Sequence, residues 1–446
     1  MMDFEGECLS RRDGIFLHLY HLMSAWLEYN EEINVEIWVF SHSQKAAEVF
    51  CEDLKKRFGE RITVHSDVDY PNINCVKSCC LRGIERALKG VVRQFSSHPM
   101  DGIKRAIAHK AEVYGRKSEE AKHDFIKSFK KESKADLCYV PFVTLRKALR
   151  CKKPVVVQVH DLFTFQFYDL FMKESNPPAI YLKYNLKVKY LLTRYARRSA
   201  VFVTSSEYTI QNQILKFVRT ITEQQCRAIL FPPLLSQFKD EKLPLKKSFL
   251  EHFGISGNYI AFPSQNRPNK NLVLLLNALK EVNERGYSLT LVTTGRMEEV
   301  HSTRDFCEKN DNFPVIEIGD LSSRDLFCLY KYSDMVVCPN LIEGMGISSQ
   351  ALEALKIGGI PIIHARTLGM EGFLEKIGMT FESADLNWVE TDDSHSMAQK
   401  IIDVLQNPEK CIQKQKVIRK GLEGITWQNV VAEYMILFEK QIRHMC

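Results

Sequence analysis

Arg267 and Lys270 stand three residues apart in the stretch NRPNKNLVLLLNALKEV, residues 266–282. An apolar run precedes this polar loop, and leucines at helical spacing follow it. Both cations therefore sit at a helix N-terminus, where free amides and the helix dipole already favour an anion. Two side-chain cations there suit a diphosphate, although the stretch alone also reads as a loop with two solvated basic residues. About seventy residues on comes EGMGISSQALEALKIGGIPII, residues 343–363. Glu343 lies on a turn broken by Gly344 and Gly346, glycines that let a backbone approach a ligand closely or take positive φ. A second carboxylate, Glu353, falls ten residues later inside a helical pattern. A third constellation closes PVVVQVHD, residues 154–161, where a continuous apolar run ends on His160 and Asp161. His160 is either a ligand contact or a hydrogen-bonded strand-end histidine. Asp161 either serves a site or caps the next segment.

These residues need elements to hold them. Short β-branched runs alternate with longer helical patterns: NVEIWVF, DLCYVPF, PVVVQVHD and AVFVTSSE in the first half, then NYIAFPSQ, SLTLVTTG, FPVIEIGD, DMVVCPN and IPIIHA. Continuous apolar strands separated by helices indicate parallel sheets covered on both faces. Ligands of such sheets sit beyond the carboxyl ends of the strands. His160, Ser205, Ser264, Gly295, Gly319 and Asn340 are therefore the polar positions of interest. The stretch FPPLLSQFKDEKLPLKK, residues 231–247, resists both helix and central strand and marks the domain boundary. Two doubly wound domains flanking that linker would enclose a ligand cleft.

The whole chain is consistent with this. Its 446 residues suffice for two domains. Hydrophobic residues at 45% and charged residues at 26% exclude disordered and collagen-like classes. No apolar run reaches the eighteen or so residues of a spanning helix, and the start lacks a secretory h-region. The thirteen cysteines are scattered. Cys75, Cys79 and Cys80 cluster without a second pair at zinc-ligand spacing, so free thiols in a reducing cytosol are expected, and no metal. The net charge of +6 is uneven. Residues 181–199, YLKYNLKVKYLLTRYARRS, carry six basic residues and no acid. That asymmetry suggests an anionic membrane surface ahead of nucleic acid, the alternative being a core-facing helix with a basic rim.

Several of these motifs, in order, resemble family-4 retaining glycosyltransferases of the GT-B fold. The loop RPNKN before an apolar helix and the glutamate-glycine turn are similar to that family's second domain. PVVVQVHDLFTFQF resembles its first-domain strand ending in His-Asp, VFVTSSEYT its serine-rich turn, and GITWQNVVAEYMILFEK its closing tryptophan helix. The resemblance implies two Rossmann-like domains facing across a cleft. The first, acceptor-side domain would span residues 1–235, completed by the helix at 427–446; the nucleotide-sugar donor domain would span 236–426. It implies a soluble or membrane-peripheral cytoplasmic enzyme that moves a sugar from a nucleoside diphosphate to a hydroxyl acceptor, a saccharide or lipid-linked glycan. No cofactor or metal is implied. Arg267 and Lys270 would hold the diphosphate, and Glu343 would lie by the donor sugar. The amides of Gly344, Met345 and Gly346 would face the ligand, as would Ser264 at its strand end, and Gly319 would lie against the nucleobase. His160 would reach the sugar, Asp161 would lie near the acceptor, and Gly14 would be the remnant of a phosphate-facing glycine loop. Glu353 would accept hydrogen bonds from the ribose.

Departures from the family matter. MMDFEGECLS is a poor first strand. The two glutamates have nine residues between them where the family has seven. Two extra residues rotate a helical position by roughly 200°. If residues 347–349 absorb them as a longer turn, Glu353 keeps the ribose position; if the helix starts early, Gln350 takes it. Three other classes share parts of the pattern: a non-catalytic GT-B scaffold acting through its basic surface, a nucleotide-sugar epimerase, and a nucleic-acid binder using 96–134.

Overall fold

The computed structural model describes residues 14–39, 44–66, 134–174, 179–233 and 243–443. The Cys75, Cys79 and Cys80 cluster, residues 96–133 and residues 234–242 of the expected linker lie outside them.

In the first half, β1 (Val35–Val39) pairs in parallel with β2 (Ile62–Ser66). The strands β3 (Cys138–Val140), β4 (Val155–Gln158), β5 (Val201–Thr204) and β6 (Cys226–Ala228) form a parallel sheet in that order. The second half carries β7 (Asn258–Phe262), β8 (Leu289–Thr293), β9 (Val315–Glu317), β10 (Met335–Cys338) and β11 (Ile362–His364). They form one parallel sheet in the order β11-β10-β7-β8-β9.

Unbroken apolar strands make sense only when both faces are covered, and they are. Tyr259, Ala261, Val292, Val336 and Ile362 enter one core cluster of the second sheet, while Ile260, Phe262, Leu291, Val337 and Ile363 enter another on the opposite face. In the first sheet Val155 and Val157 face one cluster, Val156 and Val203 a second. That alternation is the two-residue period of a strand buried on both sides. The last helix, Trp427–Arg443, packs Val430, Val431, Tyr434 and Leu437 into the second of these first-half clusters with Leu19, Leu22 and Trp26 of the helix Gly14–Tyr29. Its Tyr434 hydroxyl donates to Gln158 Oε1 at 2.6 Å. The closing helix therefore belongs physically to the first half.

Strand order sets where a ligand can sit. Connections from β7 run outward one way to β8 and β9, and the chain returns to place β10 and β11 on the other side. The loops leaving β7 and β10 diverge at this reversal and open a crevice at the carboxyl edge of the sheet. Those loops carry residues 263–271 and 339–348. All nine apolar runs named above coincide with strands. β2 and β6 were not among them, being five residues with alternating polarity and three residues respectively. Among the described residues, no helix is long and apolar enough to cross a membrane.

Candidate active site

At the β7 exit, Arg267 precedes a short turn, Pro268–Lys270, and Asn271 then adopts a left-handed conformation (φ 53°) before the helix Leu272–Glu284. Asparagine tolerates that conformation better than other non-glycine residues. Its amide is tied down, with Nδ2 donating to the Pro339 carbonyl at 3.1 Å and the Thr391 carbonyl at 2.8 Å. The Leu341 amide in turn donates to the Asn269 carbonyl at 3.0 Å. The two exit loops are thus stitched to each other before any ligand chemistry is considered.

Their charged residues meet. Lys270 Nζ lies 2.6 Å from Glu343 Oε1, with side-chain exposures of 14% and 11%. Asn340 Nδ2 donates to the same oxygen. Arg267 is exposed and bonded to the Gln265 side chain. From the first half, Asp161 stands close enough to feel Arg267, Lys270 and Glu343. Burial raises its carboxyl, the Phe163 amide at 3.3 Å opposes this, and the two cations oppose it further. Two cations and two carboxylates from both halves therefore share one crevice.

The glutamate turn is closed by the Gly346 amide donating to the Glu343 carbonyl at 3.0 Å. Gly346 has φ +87°, and a Cβ there would lie 2.3 Å from the Gly369 carbonyl oxygen. Only glycine fits, on both counts. Met345 turns its side chain into the core. Gly344 is where the halves touch. Its carbonyl accepts from Ser205 Oγ at 2.9 Å, Ser206 Oγ at 2.7 Å and Thr209 Oγ1 at 3.4 Å. A Cβ on Gly344 would lie 2.8 Å from the His160 carbonyl oxygen. Glu174 adds a second bridge, its carboxylate accepting from the Ser302 amide at 2.9 Å in the first turn of the helix His301–Lys309, where negative charge is favoured.

His160 ends β4 beside this contact. Burial pushes its imidazole down to about 4, opposed by a hydrogen bond that the ring donates to the Pro141 carbonyl. Its Nε2 is buried with no hydrogen-bond partner. His18, on the helix Gly14–Tyr29, packs its ring 5.7 Å from His160 and 4.3 Å from Phe231. Both His18 nitrogens are buried without partners. Burial holds its pKa well below the ordinary value, and His160 and His21 depress it further. Leaving such groups unpaired is costly, so this histidine pair presents neutral nitrogens that have no partner among the described residues.

Glu353 and Gln350 are both on the helix Ser349–Ile357, whose N-cap is Ser348, with Oγ accepting from the Ala351 amide at 3.2 Å. Residues 347–348 precede the helix, and both Gln350 and Glu353 lie within it. Buried His364 supports the cap, its Nε2 lying 3.1 Å from the Ser348 amide and 3.1 Å from Ser348 Oγ. Glu353 accepts from the Tyr330 hydroxyl at 2.6 Å. Burial pushes its carboxyl up to about 7, opposed by Tyr330 and by Lys270. Gln350 reaches back to the Pro263 carbonyl at 3.5 Å and leaves Oε1 buried and unpartnered.

Ser264 is buried at the β7 exit, and Gly295 packs so closely on it that a Cβ would lie 2.6 Å from the Ser264 carbonyl oxygen. Gly319 takes φ +66° just after β9 with open space around it. A cavity of about 390 Å³ opens nearby, lined by Arg296, Met297, Arg304, Cys307 and Glu317. Gly14 begins the first described helix, and the residues before it lie outside the described set. Thus Arg267, Lys270, Glu343, Asp161 and His160 converge, Glu353 and Gln350 line the same helix, and Gly319 lies toward the far strands.

Sequence reasoning passed over His18, Tyr330, Asn340's role and His364. Asn340 was flagged as a strand-end polar residue and His364 lay within a named strand, so a signal existed for both. His18 and Tyr330 sit in helices, where one buried polar residue has no periodic signature.

Comparison with known proteins bears on the fold and on the second half of the chain. Residues 247–421 match the family model of glycosyl transferases group 1. No curated protein matches the sequence. Among solved structures, Anabaena HepE in complex with UDP and glucose is similar, at 12% identity and TM-score 0.58, with 96% of each chain covered. The N-terminal domain of Candida albicans trehalose-6-phosphate phosphatase has 14% identity and TM-score 0.58, covering 95% of this chain and 94% of that one. Sucrose-phosphate synthase from Thermosynechococcus elongatus has 14% identity and TM-score 0.54, covering 73% and 79%. The chain thus has the GT-B fold, two Rossmann-like halves about a cleft, and its second half matches the group 1 glycosyl transferases.

Proposed function

We propose that this protein is a retaining glycosyltransferase that moves a sugar from a nucleoside diphosphate sugar to a hydroxyl acceptor, a saccharide or lipid-linked glycan. The observation that carries the reading is the ion pair of Lys270 with Glu343 at the strand-order reversal between β7 and β10, with Arg267 on the same exit loop and near enough to act on Asp161. A diphosphate at that crevice receives two cations and the N-terminal end of the helix Leu272–Glu284. Arg267 and Lys270 then stabilise the charge that builds on the leaving diphosphate, the task a divalent cation performs elsewhere. The complex of Anabaena HepE with UDP makes UDP the first nucleotide to try.

In the proposed step the bond from the anomeric carbon to the phosphate oxygen breaks. The acceptor oxygen bonds to that carbon on the same face, and its proton passes to the departing phosphate. Glu343 stays an ion-paired anchor for the sugar hydroxyls rather than a nucleophile, since Lys270 and Asn340 share one of its oxygens. His160 and His18, neutral at physiological pH, offer their ring nitrogens to sugar hydroxyls. Glu353 accepts from the ribose in its ionised form. The Gly344 contact with Ser205, Ser206 and Thr209 fixes how the halves close over the donor and exclude water.

The test is product configuration. Incubation with a labelled α-linked nucleoside diphosphate sugar and a hydroxyl acceptor should release the nucleoside diphosphate and form an α-linked product by NMR. A β-linked product would refute retention, and a changed donor sugar without transfer would establish an epimerase.

A further inference from the structure

The helix Ala179–Ala196 is the basic aromatic segment of the sequence, and its two faces differ sharply. Val188, Leu191, Leu192 and Tyr195 are fully buried in the first-half core. Asn185 fixes the helix to Thr164, its Nδ2 donating to the Thr164 carbonyl at 2.7 Å. The opposite face is apolar as well: Leu182, Leu186 and Tyr190 are 48%, 63% and 50% exposed. Residues spaced by four lie within about 40° of one another on a helix, so these three form one stripe. Lys183 and Arg194 border it on one side and Lys189 on the other, all exposed, with exposed Arg197 at the end. Arg198 does not join them; it donates to the Leu149 and Cys151 carbonyls and belongs to the fold. The helix contains no acidic residue.

We infer that this face docks the protein on an anionic lipid bilayer. Two leucines about half exposed and four residues apart, beside a half-exposed tyrosine, leave a continuous apolar ridge in water. Flanking cations with an apolar ridge between them match an interface where acyl chains lie just beneath negative headgroups. Nucleic acid would use the cations and leave the leucines in water, whereas a lipid surface satisfies both. Tyr190 suits the headgroup layer, with an amphipathic ring and a cation, Arg194, 5.9 Å over it. The opposite side of the same helix stands near the crevice. Tyr181 packs on Phe171 at 5.1 Å, and Phe171 shares a cluster with Ile342, the residue before Glu343. Docking through the exposed stripe holds whether or not the catalytic reading does.

Vesicle sedimentation of the full chain tests it. Phosphatidylcholine vesicles with about a third phosphatidylglycerol should carry down the wild type, and pure phosphatidylcholine should not. Binding should fall several-fold when salt is raised from roughly 0.1 to 0.5 M, as expected for surface charge screened within a Debye length. The double variant Leu182→Asp, Leu186→Asp should lose on the order of tenfold or more, with its melting temperature unchanged because both positions are exposed. Lys183→Glu with Lys189→Glu, which leaves the ridge intact, should lose anionic binding too. The inference is overturned if the wild type stays in the supernatant, if pure phosphatidylcholine binds it equally, or if the leucine variant still sediments like wild type. It is equally overturned if the wild type dimerises through this face, shown by a leucine variant that becomes monomeric while the wild type ignores vesicles.

Discussion

Glu353→Gln should make the protein more stable than wild type at alkaline pH and no more stable at acid pH. Burial raises the Glu353 carboxyl to about 7 from an ordinary value near 4.5. The folded protein therefore holds a proton that the unfolded chain has released. With a raised folded pKa, the favourable contribution is complete below about 4.5 and is lost as pH rises through about 7. The gap between about 4.5 and about 7, at about 1.4 kcal/mol for each tenfold change in proton affinity, amounts to roughly 3 kcal/mol. Glutamine is close to isosteric, cannot ionise, and can still accept the Tyr330 hydroxyl through its amide oxygen. The difference between variant and wild type in urea unfolding should thus be near zero at about pH 4 and approach about 3 kcal/mol in the variant's favour above about pH 8. His160 and His364, both pushed down to about 4 by burial, act oppositely, costing stability as pH falls from about 6.5 toward 4. They are common to both proteins and cancel in the difference. A difference that does not change between pH 5 and 8.5 would refute the reasoning. The same variant separates stability from function, because it should weaken a nucleoside diphosphate while leaving inorganic pyrophosphate, which has no ribose, unaffected.

Gly346→Ala combines an unfavourable φ with a backbone collision at the Gly369 carbonyl. It should cost at least about 2 kcal/mol, read as a lowered urea midpoint, and weaken nucleotide binding by misaiming Glu343. Ser348→Ala removes the cap of the Glu353 helix and one partner of His364. A loss of about 1 kcal/mol follows, measured as a lower melting temperature, with nucleotide binding reduced less than in Gly346→Ala.

The strands were legible because parallel sheets buried on both faces write themselves as continuous apolar runs. The loop 266–271 stands out in the sequence because two cations fall between an apolar run and a leucine-periodic helix, and the turn at Glu343 because its glycines serve backbone geometry that other residues cannot adopt. Contacts assembled from distant helices were not. The bond between Tyr330 and Glu353 joins residues 23 apart on two helices, and nothing in either helix's periodicity announces it. Likewise His18 reads as an ordinary residue of an amphipathic helix, and only the fold sets it against His160 and Phe231. The Glu353 versus Gln350 alternative is a question of helix phase; Ser348 caps the helix that carries both residues, and nucleotide binding by variants at each position distinguishes them. The charge asymmetry at 181–199 was visible in composition, but the separation of Arg198 from the exposed cations required knowing which carbonyls it binds.

The most direct test of the central claim is calorimetric titration of UDP, GDP and ADP into wild type, Arg267→Ala and Lys270→Ala. One nucleoside diphosphate should bind wild type, and each variant should lose at least about tenfold in affinity, roughly 1.4 kcal/mol. Both variants binding that nucleotide as tightly as wild type would contradict the assignment of the β7–β10 crevice as the donor site.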